Sequence, residues 1–405
     1  MTVASGALPT DGRLRDREGG GRAAYLPTPT VQCHAANLAW LPDGDLACVW
    51  FGGTQEGVAD VTVYLSRLPA GSDTWLDPIP LSDDPTRSEQ NPVLFAAREG
   101  ELWLLYTAQI AGNQDTSEVR RRISRDGGST WEPPTVLLPA DSGRGVFVRQ
   151  PPVALPSGRI LLPVFNCVRV PGEKWVGNED TSSVWWSDDG EAWTEVSVPQ
   201  SLGCVHMSIL VRQDGSLWAC FRSRWADHIW ESTSADGGMS WTPPTPTRLP
   251  NNNSSIQAAS IGRGEVALVF NASSAADATE RRVSLYDEID DEGVREGLDG
   301  PQLAEPPIDA TRRSAFWGAP RAPLTLGLSR DDGRTWPVTV DLETGDGYCM
   351  SNNSRDGLNR ELSYPSVLPG SDGDLHVAFT YHRRAIKHLH LPAELVSQLW
   401  ASGPA

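Results

Sequence analysis

Apolar runs along this chain are short, and polar turns break them at recurring intervals. Six turns of one design separate such runs: LPDGDL at Gly44, REGEL at Gly100, LPSGRI at Gly158, RQDGSL at Gly215, GRGEV at Gly264 and SDGDL at Gly373. A Gly beside a polar or acidic residue, between two strand-like runs, is a hairpin signal. The pattern therefore predicts six antiparallel hairpins. A second repeat interleaves with the first. Ser124 to Trp131 reads SRDGGSTW, and its frame returns as SADGGMSW at Ser234 to Trp241 and SRDDGRTW at Ser329 to Trp336. Ser187 to Trp193, SDDGEAW, is the same phrase one residue shorter, and Ser66 to Trp75 is a stretched copy. Each predicts a tight turn: Asp accepts from backbone N–H groups, Gly takes a left-handed position, and Trp covers the apolar side.

Spacing orders the two repeats. The first four hairpins are each followed by such a turn 19 to 29 residues later, and the fifth after 65 residues. The sixth has none, as expected if its blade is closed by a strand from the other end of the chain. Four good copies of one turn make a repeat architecture. They resemble the Asp-box of the sialidase superfamily, and that resemblance implies an all-β, six-bladed β-propeller. The expected organisation is a mobile tail over residues 1–24, rich in Gly, Arg and Asp, and one propeller over 25–392. An acidic insertion falls at about 272–322 in blade five, read as a surface segment or as a lid or oligomer contact. A short helix is expected over Pro392–Trp400 within the terminal segment 393–405.

Composition narrows the function. With 52 acidic against 34 basic residues, the formal charge of −18 argues against nucleic acid or an anionic membrane as partner. An anionic substrate would need a local basic pocket. The first residues carry no apolar signal region and no run approaches 18 apolar residues, so a cytoplasmic protein is expected. Six scattered cysteines without a CxxC pair read as reduced core thiols, with no metal site and no cofactor implied. The sequence does not fix an oligomeric state.

Blade geometry filters the candidates. In an up-and-down blade the first and third turns share one end. Residues about 8–10 before each hairpin Gly, and about 7–12 after it, then lie at the opposite face. The filter selects His34 and Glu56 from blade one, Gln90 and Asn91 from blade two, and Arg149 and Asn166 from blade three. Blade four gives His206, Arg222 and Arg224, and blade five Asn253 and Asn271. Blade six gives Tyr364, Tyr381, His382, Arg383 and Arg384. A lone His or Arg at a strand end is usually structural, but convergence of this set on one mouth points to a site.

The resemblance assigns expected roles residue by residue. Sialidases open blade one with an Arg-Ile-Pro motif; His34 stands at that Arg position. Their catalytic acid falls in the loop GGTQEGVAD, at Glu56 or Asp60, with Glu56 favoured. Their blade-four Glu and substrate Arg correspond to His206 and Arg222, and their Tyr nucleophile to Tyr364 in LSYPS. FGGTQEG, NPVLF and RRAIKH, at 51–57, 91–95 and 383–388, are similar to a bacterial sialidase-like branch. The expectation is an exo-glycosidase on an acidic or acidic-substituted glycan, with Tyr364 as nucleophile, His206 its base and Glu56 the acid. Arg222 with Arg149 or Arg384 would clamp the anion, and Asn91, Asn166, Asn271 and Asp60 would bind substrate. Two alternatives stand beside it. One is a uronate lyase using His34, His206, Tyr364 and Arg222; the other is a propeller that only binds.

Overall fold

The computed structural model describes residues 8–98, 100–279, 289–290, 293–294, 313–349 and 357–402. Six antiparallel sheets are arranged as the blades of a propeller, each built outwards from its first strand. Blade one orders Gln32–Trp40, Leu46–Gly53, Thr62–Leu68 and Ile79–Pro80; blade four orders Cys204–Val211, Leu217–Ser223, His228–Ser234 and Thr245–Pro250. Each hairpin Gly has a positive φ, from 69° at Gly264 to 88° at Gly44 and Gly158. Apolar residues of neighbouring blades pack face to face. Trp50, Leu38 and Cys48 of blade one, for example, share a core with Ala378 and Ile386 of blade six. All six cysteines are free thiols, five of them buried. Among the described residues no helix is long and apolar enough to cross a membrane.

The repeated turns have the chemistry their sequences imply. Asp126 accepts from the N–H of Ser129 and Thr130 and from the Thr130 hydroxyl, while Ser124 Oγ accepts from Gly128 N at 2.7 Å. Asp189, Asp236 and Asp331 repeat the arrangement. The stretched copy differs. Its Trp75 turns into the seam between blades one and six, and its indole N–H donates to His388 Nδ1 at 3.2 Å.

The N-terminal stretch corrects the expected tail. Arg22–Tyr25 pairs with Ala385–Leu391 as the fourth strand of blade six, and Arg15–Asp16 pairs with it in turn. Little periodicity marked this stretch because its strands are only two and four residues long, although Leu14, Ala24 and Leu26 are buried in the core shared with blade one. Residues 1–7 lie outside the described residues. In blade five, strand Val266–Asn271 pairs with Leu324–Ser329, so the long connection lies between them. Most of the expected insertion is outside the described residues, but Ala315–Pro323 lies against the blades. A helix spans Ala393–Ser402, and its Val396, Leu395 and Trp400 pack on the core shared by blades five and six.

Candidate functional site

The first strand of the blades is interrupted at one common depth. Pairing with the second strand slips between His34 and Asn37, Gln90 and Val93, Val205 and Ser208, and Ser363 and Ser366. One residue in each slip is left-handed: Ala35, Asn91, His206 and Tyr364, with φ between 50° and 61°. Asn253, at φ 58°, has the same conformation just before the first strand of blade five. In blade three the strand splits into Arg144–Val148 and Val153–Ala154, with Arg149 at the gap. A bulge breaks the alternation of a strand and re-aims a side chain. Left-handed backbone costs an L-residue about 1–2 kcal/mol, and such outliers gathered at one rim mark a site.

They border a cavity at the end of the blades opposite the hairpin glycines. Its lining includes Glu56, Gln90, Asn91, Phe165, His206, Arg222, Arg224, Trp317, Arg321, Tyr364 and Arg383. Arg222 is at its centre. Its Nη1 donates to Tyr364 Oη at 2.7 Å and is 3.4 Å from His206 Nε2, while its Nε donates to Asn253 Oδ1 at 2.8 Å. The other three arginines lining the cavity have carboxylate partners. Arg224 forks onto Asp180 at 2.6 and 3.0 Å, Arg321 donates to Glu361 at 2.7 Å, and Arg383 bridges Glu361 and Glu56. Among the described residues no carboxylate pairs with Arg222.

Burial and this crowd of cations set the protonation states. Burial, with repulsion from Arg224 and Arg321, pulls Arg222 down to about 9 although the Tyr364 oxygen draws it up. Burial and then Arg222 hold His206 well below the ordinary imidazole range; burial and then Arg383 do the same to His34. Both imidazoles are therefore neutral at pH 7. Burial alone would raise Glu361, but Arg383 and Arg321 outweigh it and hold that carboxylate at about 2.

The sequence matches the model of the BNR repeat-like domain over residues 44–377, most of the chain. This chain belongs to the BNR repeat-like family. Comparison with curated proteins finds no match. Among solved structures, the BNR repeat-like chain is similar to the intramolecular trans-sialidase from Ruminococcus gnavus, with TM-score 0.63, 12% identity, and 96% of this chain and 99% of that one covered. A protein of unknown function from Dyadobacter fermentans gives 0.63 and 16%, covering 95% and 99%. Hadza microbial sialidase Hz136 gives 0.62 and 13%; the match covers 90% of this chain and only 66% of that longer one. At these identities the likeness establishes the sialidase-like six-bladed fold.

Of the residues expected at the site, Tyr364, His206, Glu56, Arg222 and Asn91 line the cavity of this BNR repeat-like protein. His34 is beneath it, fully buried, its ring centroid 4.1 Å from that of Tyr364 and its Nδ1 2.8 Å from Thr380 Oγ1. The remaining assignments need correction. Arg149 is behind Tyr364, donating to the carbonyls of Ala36, Tyr364 and Pro365. Arg384 is exposed; its neighbour Arg383 takes the inward place. Asn166 bonds Ser183 within blade three, Asn271 ties blade five to the Leu362 carbonyl, and Asp60 staples its own loop through Thr54. Nor does His206 contact the Tyr364 hydroxyl. Arg222 occupies that position and reaches both rings.

Arg321, Trp317, Glu361 and Asp180 were not expected. Arg321 and Trp317 come from an irregular connection that no strand period indexes. Glu361, three residues before Tyr364 in RELSYP, is the one whose position offered a signal. Arg224 and Arg383 passed the depth filter without being given a role.

Proposed function

We propose that this protein is an exo-acting glycoside hydrolase on a sugar bearing a carboxylate. One observation carries the reading: a fully buried arginine, Arg222, lacks a carboxylate among the described residues and donates to the hydroxyl of a strained tyrosine. A buried unpaired cation is costly, and a substrate carboxylate at Arg222, with Arg321 alongside, would neutralise it. Tyr364 then attacks the anomeric carbon. The Arg222 N–H stabilises charge on the phenol oxygen, and neutral His206, whose Nε2 lone pair faces Arg222 and whose protonated Nδ1 has no partner among the described residues, takes the phenol proton on Nε2 across one water. Glu56, released from Arg383 and protonated from solvent, protonates the leaving oxygen. Water then releases the sugar from Tyr364. Relatives named as sialidases and trans-sialidases support a glycan substrate.

The test is turnover of aryl glycosides of N-acetylneuraminic and glucuronic acid, beside neutral aryl glycosides. Cleavage should require the carboxylate, and Tyr364→Phe should lower kcat by about 10³-fold or more while leaving affinity within a few-fold. A fully active Tyr364→Phe protein, or equal cleavage of neutral sugars, would refute the proposal. Neutral imidazoles on two sides of Tyr364, His34 and His206, each with a nitrogen unpartnered among the described residues, favour one alternative, β-elimination from a uronate. That product absorbs in the near ultraviolet through its conjugated double bond, and a hydrolysis product does not.

A further inference from the structure

At the end of blade six opposite Tyr364, the hairpin at Gly373 gathers three histidines and an aspartate. His376 and His390 are direct cross-strand partners, Asp374 precedes His376 by two residues, and His388 precedes His390 by two. The two-residue period puts all four on one sheet face. Asp374 Oδ2 is 3.2 Å from His376 Nε2 and 2.8 Å from His390 Nε2, and these three atoms lie within 4.8 Å of one another. Four-coordinate zinc holds N and O ligands at about 2.0–2.2 Å, which separates neighbouring ligand atoms by about 3.3 Å. We propose that Asp374, His376 and His390 bind one divalent transition-metal ion of the zinc class, completed by solvent on the side where Asp374 and His390 are partly exposed.

The surroundings fit a metal-binding histidine. His376 Nδ1 is 3.0 Å from His388 Nε2, and His388 Nδ1 accepts from the indole of Trp75. Such an outer partner fixes the ring of a metal ligand. Trp40 covers His376 edge-on at 5.3 Å, so the site is walled by blade one. The protons balance without a co-reactant. An indole only donates, so His388 carries its proton on Nε2 and His376 carries its own on Nε2, facing Asp374. When a cation takes His376 Nε2, that proton moves to Nδ1, the His376–His388 bond reverses, and His388 shifts its proton to Nδ1 and gives up the Trp75 bond; His390, whose Nε2 proton likewise faces Asp374, shifts it to its own Nδ1. The ion would join two strands of the blade that Arg22–Tyr25 closes. Cysteine spacing held no hint of it.

The experiment is calorimetric titration of the chelator-treated, tag-free full chain with ZnCl₂, with Co²⁺ absorption as a second readout. Wild type should bind one equivalent at micromolar Kd or tighter, melt at a higher temperature with Zn²⁺, and give the intense visible bands of four-coordinate Co²⁺. His390→Gln retains a donor for Asp374 without an imidazole; it and Asp374→Asn should each weaken binding at least tenfold. Less than stoichiometric uptake by wild type overturns the proposal, as does unchanged affinity in both variants. The wild-type titration decides alone if a variant fails to fold.

Discussion

Arg222 makes the sharpest demands of any single residue. Its guanidinium contacts Tyr364, Asn253 and His206 at once, and a lysine cannot reproduce that planar fork. Arg222→Ala should weaken binding of a carboxylated sugar by about 2–5 kcal/mol, measured by calorimetry; unchanged affinity would remove it from the clamp. Its depressed value gives the pH dependence a sign. Arg222 is charged below about 9 and neutral above, so carboxylate affinity should fall as pH rises through about 9. At the acid end, His206 stays neutral until well below the usual imidazole value. Activity should therefore not drop between pH 7 and 6 on its account. An acid limb near pH 6.5 in kcat/KM would assign the base to another group.

At the level of strands and turns, the box turns were plain in the sequence because a fixed spacing of Ser, Asp, Gly and Trp dictates one backbone. Gly238 shows how strictly. Its φ is 87°, and an added Cβ would lie 2.9 Å from Leu161 Cδ1 of the neighbouring blade. Gly238→Ala should destabilise the protein by about 1–2 kcal/mol, from the backbone term alone, read as a lower unfolding midpoint; an unchanged midpoint would mean the turn relaxes freely. The choice between Arg383 and Arg384 was not legible for an equally physical reason. Alternation assigns sides only while a strand remains extended. His382 and Arg383 are both left-handed, at φ 54° and 56°, so the period is broken where it was needed. Arg149 misled differently: its depth was right, but it is behind Tyr364, and its Nη2 is engaged by carbonyls of two other blades.

Across the whole molecule, the six-fold repeat was visible in the spacing, and the missing sixth box turn foretold closure by a strand from the other end of the chain; which residues supply that strand was not visible. Arg22–Tyr25 offers little apolar pattern, yet supplies the outer strand of blade six. Deleting residues 1–25 should lower the melting temperature by several degrees and expose the edge of Ala385–Leu391; an unaltered melting curve would show the strand to be dispensable. Buried histidines set the stability profile with pH. His34, His206 and His388 are held well below 6.5, and His376 at about 4. Below about pH 6.5 the unfolded chain binds more protons than the folded one. The stabilisation is complete above that value and is lost as pH falls towards about 4. Melting temperature should decline from pH 7 to 5, and a flat profile would contradict the burial of these rings. Finally, the left-handed rim residues Ala35, Asn91, His206 and Tyr364 occupy equivalent bulges in the first strands of four blades. What each bulge carries can change by a single codon while the hairpins behind it remain as they were. The rim is thus a rack of tools mounted on one repeated frame, and the frame does not dictate which tool each blade holds.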